Sequence, residues 1–245
     1  MARELFMGST TSLNDTGFLD VIAKDLKVKK GIELKWISKG TGEAIELGKN
    51  GVVDVLFTHD PEREMRLLQE GLVTARHTFM HNYFTLVSTE ESEIVDSPET
   101  LSEVMKKIAS ENKTFISRGD DSGTHSKERE MWRSLGMNPD FEGYMESGSG
   151  MAKTLNLVSE QKGYALSDTG TFNFLKEKLS LKEVPLSEKS ILKNIYSVLE
   201  LSNICDSKKE CVKDFVEYMS SEDAKSIIQG YNREHFGSPL FFLGE

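Results

Sequence analysis

Short strand-like apolar runs alternate with helix-period segments along most of the chain, and this alternation restricts the fold more than any other feature. Leu5-Phe6-Met7 predicts a strand, followed by a helix carrying Phe18, Ile22 and Leu26. Ile32 to Ile37 predicts a second strand, then a helix from about Gly42, and Val52 to Phe57 a third strand. Asp60-Pro61-Glu62 opens a further helix, with an N-cap aspartate, a proline at the first helical position and acid in the first turn. Leu101, Val104, Met105 and Ile108 have the i, i+3, i+4, i+7 spacing of a helix buried on one face, as do Val212, Phe215, Val216 and Met219. Such alternation implies an α/β fold of mostly parallel sheets with helices on both faces.

Two strand-like segments, Tyr83 to Ser88 and Ile195 to Leu201, stand outside the alternation. They fall where a chain would pass between two lobes. The expected organisation is therefore bilobed: residues 1–84 plus 200–245 form lobe one and residues 85–199 lobe two, each a mostly parallel sheet flanked by helices, with a ligand cleft between the lobes. No internal repeat or low-complexity linker interrupts the chain.

Among 245 residues, 38% are hydrophobic and 29% charged, which suits a globular chain able to bury a sizeable core. The net charge of −10 argues against nucleic acid or an anionic membrane surface as partner, since both require a basic face. It leaves a small anionic ligand open, because local dipoles and one or two charges govern a small site. No apolar run approaches the roughly 18 residues of a membrane span. Met1-Ala2-Arg3-Glu4 leads directly into a strand-like run, with no signal peptide ahead of it. Cys205 and Cys211 lie six apart, without the CxxC spacing of a zinc or redox site; a local disulfide and two thiols are both open.

The chemistry lies in the loops that join strands to helices, where ligands of open α/β sheets bind. Helix N-termini there present N–H groups and a partial positive charge. The loops are Gly8-Ser9-Thr10-Thr11-Ser12, Gly40-Thr41-Gly42, Arg118 to Thr124, Ser147-Gly148-Ser149-Gly150 and Asp168-Thr169-Gly170-Thr171. Hydroxyls donate without adding charge, and glycine lets backbone N–H groups approach closely. Each loop alone is equally a cap or a turn. Several at one topological position point to a shared anion site, with Ser9, Thr10, Thr11, Ser12, Thr41, Arg118, Ser122, Thr124, Ser147 and Gly148 as candidate ligand residues. Arg118 fits a surface ion pair with Asp120 or Asp121 as well as it fits a ligand clamp.

Enzyme motifs fail. Asp121-Ser122-Gly123 lacks the following Gly-Pro of a serine-protease nucleophile, and no GxSxG elbow occurs. Gly148 to Thr154 lacks the glycine that a P-loop places before its lysine. His59 and His125 are isolated and read as capping or surface residues; no HExxH spacing exists. Neither a catalytic group nor a bare metal cation is expected.

Across nearly its whole length the chain resembles the tungstate-binding proteins of ABC importers, a branch of the two-lobed, type II periplasmic binding proteins. The stretches that carry the resemblance are Thr10-Thr11-Ser12 with Asp15 to Asp20, Lys39 to Ala44, Asp54 to Pro61, Ser117 to His125, Glu146-Ser147-Gly148, Tyr164 to Thr171 and Phe236 to Leu240. The arginine loop is the most specific of them. The resemblance implies capture of tungstate first and molybdate second, delivery to a permease driven by an ATPase subunit, and no cofactor. It also implies an extracytoplasmic, periplasmic location with the signal peptide removed, a monomer, and contact with the membrane only through the permease. Ser9 stands where the family usually has threonine, which keeps a hydroxyl. Leu13 stands where a hydroxyl residue is common, so no ligand role is carried to it. The alternatives are a binding protein for another tetrahedral oxyanion, sulfate or phosphate, and an enzyme acting on a phosphorylated substrate.

Overall fold

The computed structural model describes residues 3–89, 91, 99–188, 192–232 and 239–244. The chain divides into two compact units, residues 1–81 with 195–245 and residues 82–194. The sequence pattern places these crossings after residues 84 and 199.

Unit 1 begins β1 (Arg3–Thr10), α1 (Thr11–Asp15), α2 (Phe18–Lys30), β2 (Ile32–Lys39), α3 (Thr41–Lys49), β3 (Val55–Thr58) and α4 (Pro61–Gln69). β4 (Val73–Thr89) runs on into unit 2. There follow α5 (Leu101–Ser110), β5 (Phe115–Ser117), α6 (Gly123–Ser134), β6 (Tyr144–Glu146), α7 (Met151–Gln161), β7 (Tyr164–Asp168), α8 (Thr169–Leu179) and β8 (Leu181–Glu183). β9 (Lys193–Leu201) returns the chain to unit 1, which ends with α9 (Asp206–Met219), α10 (Glu222–Gly230) and β10 (Phe242–Leu243).

In unit 1, β1 pairs in parallel with β2 and β3, and β9 closes the edge of β3 in antiparallel register. Side chains alternate across these strands. Val55 and Phe57 of β3 therefore enter the core formed with α2, α9 and α10, while Leu56 enters a second core with Ile45 and Leu67 on the opposite face. In unit 2, β5 pairs in parallel with β6 and β7, and β4 runs antiparallel to β7 and β8. Tyr164 and Leu166 of β7 face a core with α5 and α6, and Ala165 faces another with α7 and α8. The parallel pairs of unit 1 join the predicted strands β1, β2 and β3; the antiparallel ones involve the two segments that stand outside the alternation.

Local chemistry explains the clear boundaries. The Asp60 carboxylate accepts from Arg63 N at 3.1 Å with Pro61 at the first position of α4. Thr100 and Glu103 form a reciprocal capping box at the start of α5. Other boundaries differ from the sequence expectation. The loop expected at residues 8–12 is instead the end of β1 running directly into α1. Val52 and Val53 precede β3, because Asp54 turns the chain there: its N–H donates to Phe6 O at 2.7 Å and its carboxylate accepts from Phe6 N at 2.9 Å. Cys205 is exposed and Cys211 buried, both as free thiols. Among the described residues no helix is long and apolar enough to cross a membrane. Phe236, Gly237 and Ser238, quoted for the family resemblance, lie outside the described residues.

Candidate functional site

Each unit gathers donors where parallel strands end and helices begin. In unit 1, Ser9 and Thr10 finish β1, buried at 0% and 3% exposure. The Ser9 hydroxyl donates to Phe57 O at 3.1 Å, so its proton secures β1 to β3. Thr10 is the N-cap of α1 with no side-chain capping bond. Its Oγ1 lies 3.3 Å from Ser12 Oγ, which lies 3.0 Å from His59 Nε2. Thr11 is exposed. Leu13 is fully buried in the core, as expected for a residue given no ligand role. Thr41 opens α3 and is 1% exposed, and its hydroxyl is buried with no hydrogen-bond partner among the described residues; Ser38 Oγ, at the end of β2, shares that state. The first N–H groups of α3 have no intrahelical acceptor.

In unit 2, β5 delivers Arg118 into a tight turn, with its side chain almost wholly buried. Gly119 has φ +60°, and a Cβ there would come within 2.7 Å of the Glu146 Cβ, so the turn requires glycine. Arg118 Nη2 donates to Asp120 Oδ2, while Asp120 Oδ1 accepts from Ser122 N at 3.2 Å. Asp120 is thus an orienting group with both oxygens occupied. Arg118 Nε is buried without a partner among the described residues. Of the two readings open for Arg118 in the sequence, the ion pair forms, yet the guanidinium is buried and keeps an unused donor. Ser122 caps α6 by accepting from His125 N at 3.3 Å, leaving its hydroxyl proton available, and Thr124 is 2% exposed in the first turn. His125 Nδ1 accepts from Asp121 N at 3.0 Å. Burial, then the Arg129 charge, holds this imidazole below its usual value, which suits a neutral ring accepting at Nδ1.

Ser147 N donates to Ser117 O at 2.8 Å, and Ser147 Oγ lies 3.2 Å from Arg118 O and 2.8 Å from Thr154 Oγ1. Both donors of Ser147 are therefore engaged inside the loop. Gly148 turns with φ +57° ahead of α7, whose N-cap Gly150 makes no side-chain cap. The fifth loop serves as a cap: Asp168 accepts from Thr171 N at 2.7 Å and from its hydroxyl at 2.8 Å.

Three residues escape sequence reasoning. His59 is not a surface residue: it is buried and packs against Tyr196, with ring centroids 4.9 Å apart and the planes tilted by 35°. Parallel pairing of Ser9 with Phe57 places the ends of β1 and β3 side by side, and so brings His59 to Ser12. Thr154, which bonds Ser147, sits one helical turn into α7. Glu128 of α6 is buried, accepts from Trp132 Nε1 at 3.2 Å and from Tyr144 OH at 2.8 Å, and burial pushes its carboxyl up to about 7.

Residues 2–223 match the model of the PBP superfamily domain. The tungstate-binding protein TupA of Peptoclostridium acidaminophilum is 34% identical over 97% of this chain and 84% of its own length. The chain belongs to the family of tungstate-binding proteins. A solved structure of the tungstate-binding protein TupA from Desulfovibrio alaskensis G20 matches with a TM-score of 0.86 and 32% identity over 99% of both chains. That of the tungstate ABC transporter from Geobacter sulfurreducens matches with a TM-score of 0.79 and 32% identity, over 93% of this chain and 98% of the other. The expected α/β, two-lobed, type II fold agrees with this membership.

Proposed function

We propose that this chain is the extracytoplasmic solute-binding protein that captures tungstate, and molybdate second, for ATP-driven import. One observation carries the reading: Arg118 Nε and Thr41 Oγ1 are buried at strand–helix junctions with no partner among the described residues. A buried polar group without a partner costs about 1–3 kcal/mol. An oxyanion accepting from such groups removes that cost, and family membership supplies its identity. Thr10, Ser12 and Thr41 are the oxyanion donors of the first unit, and Arg118, Ser122 and Thr124 those of the second. Ser9 and Ser147 brace these loops, Thr11 and Gly148 contribute through the backbone, and no cofactor or catalytic group takes part. The protein works as a monomer that hands the ion to permease and ATPase subunits.

A thermal-shift panel of tungstate, molybdate, sulfate, phosphate and vanadate tests this. A ligand bound only by the folded state stabilises by about 4 kcal/mol at a thousandfold excess over Kd, so micromolar tungstate raises Tm by several degrees. No shift at millimolar tungstate refutes the assignment.

A further inference from the structure

Proton counting along Thr10, Ser12 and His59 assigns a role to the histidine. Ser12 Oγ stands between Thr10 Oγ1, at 3.3 Å, and His59 Nε2, at 3.0 Å. Each hydroxyl has a single proton and accepts readily, whereas Nε2 either carries a proton or accepts one. If Nε2 is bare, the 3.0 Å bond takes its proton from Ser12. Thr10 is then the only outward hydroxyl donor of the three. If Nε2 carries the proton, His59 donates to Ser12, and both hydroxyl protons can turn to an anion. The longer Thr10–Ser12 contact is the one that gives way.

We infer that His59 is a positioning residue for oxyanion binding, acting through Ser12: an Nε2–H donated to Ser12 Oγ turns the Ser12 proton toward the ligand. This rests on the proposal that Ser12 donates to the anion. The ring is suited to the task, being 5% exposed and packed against Tyr196 of β9, with ring centroids 4.9 Å apart and the planes tilted by 35°, a contact that restricts its rotation. His59 itself need not touch the ion.

The test is a double-mutant cycle on tungstate affinity by calorimetry, with Tm of the ligand-free protein measured for each variant. His59→Leu removes the donor and weakens binding roughly tenfold, the equivalent of one hydrogen bond. His59→Gln, whose amide Nε2 donates from about the same place, stays within about threefold of wild type. On a Ser12→Ala background His59→Leu costs less than about twofold, because the partner it serves is gone. Equal losses with and without Ser12, or wild-type affinity in His59→Leu, overturn the inference. Wild-type affinity in Ser12→Ala overturns instead the placing of Ser12 among the donors. Nitrogen-15 NMR of the unmutated protein gives a check independent of folding: with tungstate bound, His59 Nε2 is protonated. A bare Nε2 in that spectrum defeats the inference outright.

Discussion

The Ser147 hydroxyl lies 3.2 Å from the carbonyl oxygen of Arg118, tying the turn ahead of α7 to the arginine loop. The same oxygen meets Thr154 Oγ1 at 2.8 Å, so three elements of unit 2 share one serine. Ser147→Ala is expected to lower stability by about 1 kcal/mol, the usual worth of one hydrogen bond. Its effect on tungstate affinity, by calorimetry, should be smaller than that of any change to Arg118 itself.

On the proposed reading, Arg118 supplies the formal positive charge that faces the oxyanion. Hydrogen bonds to charged groups contribute about 1.5–3 kcal/mol each, and each 1.4 kcal/mol is tenfold in affinity. Arg118→Gln should weaken tungstate binding by roughly ten- to several-hundredfold. Wild-type affinity in this variant would leave the guanidinium as nothing more than the ion-pair partner of Asp120.

Thr41 offers a test of opposite sign in two measurements. Valine has nearly the same shape and no hydroxyl. Since Thr41 Oγ1 is buried without a partner, Thr41→Val should raise the stability of the ligand-free protein, by about 1 kcal/mol. The same change should weaken tungstate binding by about tenfold. A denaturant melt and a titration of one preparation give both numbers.

Phosphate should be refused. Tungstate, molybdate and sulfate are dianions without a proton near neutral pH and require donors alone. Phosphate keeps a proton that needs an acceptor, and leaving it unmet costs about 1–3 kcal/mol. Asp120 pairs with the arginine, and its two oxygens are turned toward Arg118 and Ser122 N, which sets the carboxylate as an orienting group for the loop. Sulfate has the charge and shape of tungstate but is smaller, so donors set for the larger ion do not all reach it. Displacement of tungstate by equimolar phosphate or sulfate at neutral pH would contradict the donor set.

Glu128 links stability to pH. Its carboxyl is pushed up to about 7 by burial in the folded state, whereas the unfolded group titrates near 4.5. The folded chain holds that proton more tightly, so the contribution is fully present below about pH 4.5 and is lost as pH rises toward 7. At 1.36 kcal/mol per unit this is about 3 kcal/mol. Glu128→Gln, permanently neutral, should flatten that part of the stability profile; a profile identical to wild type would show that Glu128 does not titrate there.

Much of this architecture is legible in the sequence where a local rule decides. The capping box at Thr100 and Glu103, and the Asp60-Pro61 start of α4, need only neighbouring residues to form. β4 does not read as one long strand, because Arg76, His77, His81 and Asn82 interrupt its apolar character. Two of them have partners more than a hundred residues away: His77 bonds Glu200 at 2.6 Å and Asn82 bonds Asn194 at 2.8 Å. The donor loops are legible as Ser, Thr and Gly clusters next to strands. Which hydroxyls are engaged and which remain available is not, since Ser9 is committed by Phe57 and Ser147 by Arg118 and Thr154.

The route of the chain also orders its synthesis. Unit 2 is one unbroken stretch, residues 82–194, whereas unit 1 needs residues from both termini. A nascent chain emerging from the ribosome can complete the second unit while the first still waits. β3 can pair with β1 early, but it meets its second neighbour only when Val55 pairs with Glu200, so one edge of Val55, Leu56 and Phe57 stays open until β9 has been made. Such distant pairing is slow, and an open strand edge invites pairing with other chains. The vulnerable species during biogenesis is therefore the N-terminal half, and a truncation that stops short of β9 should aggregate through β3.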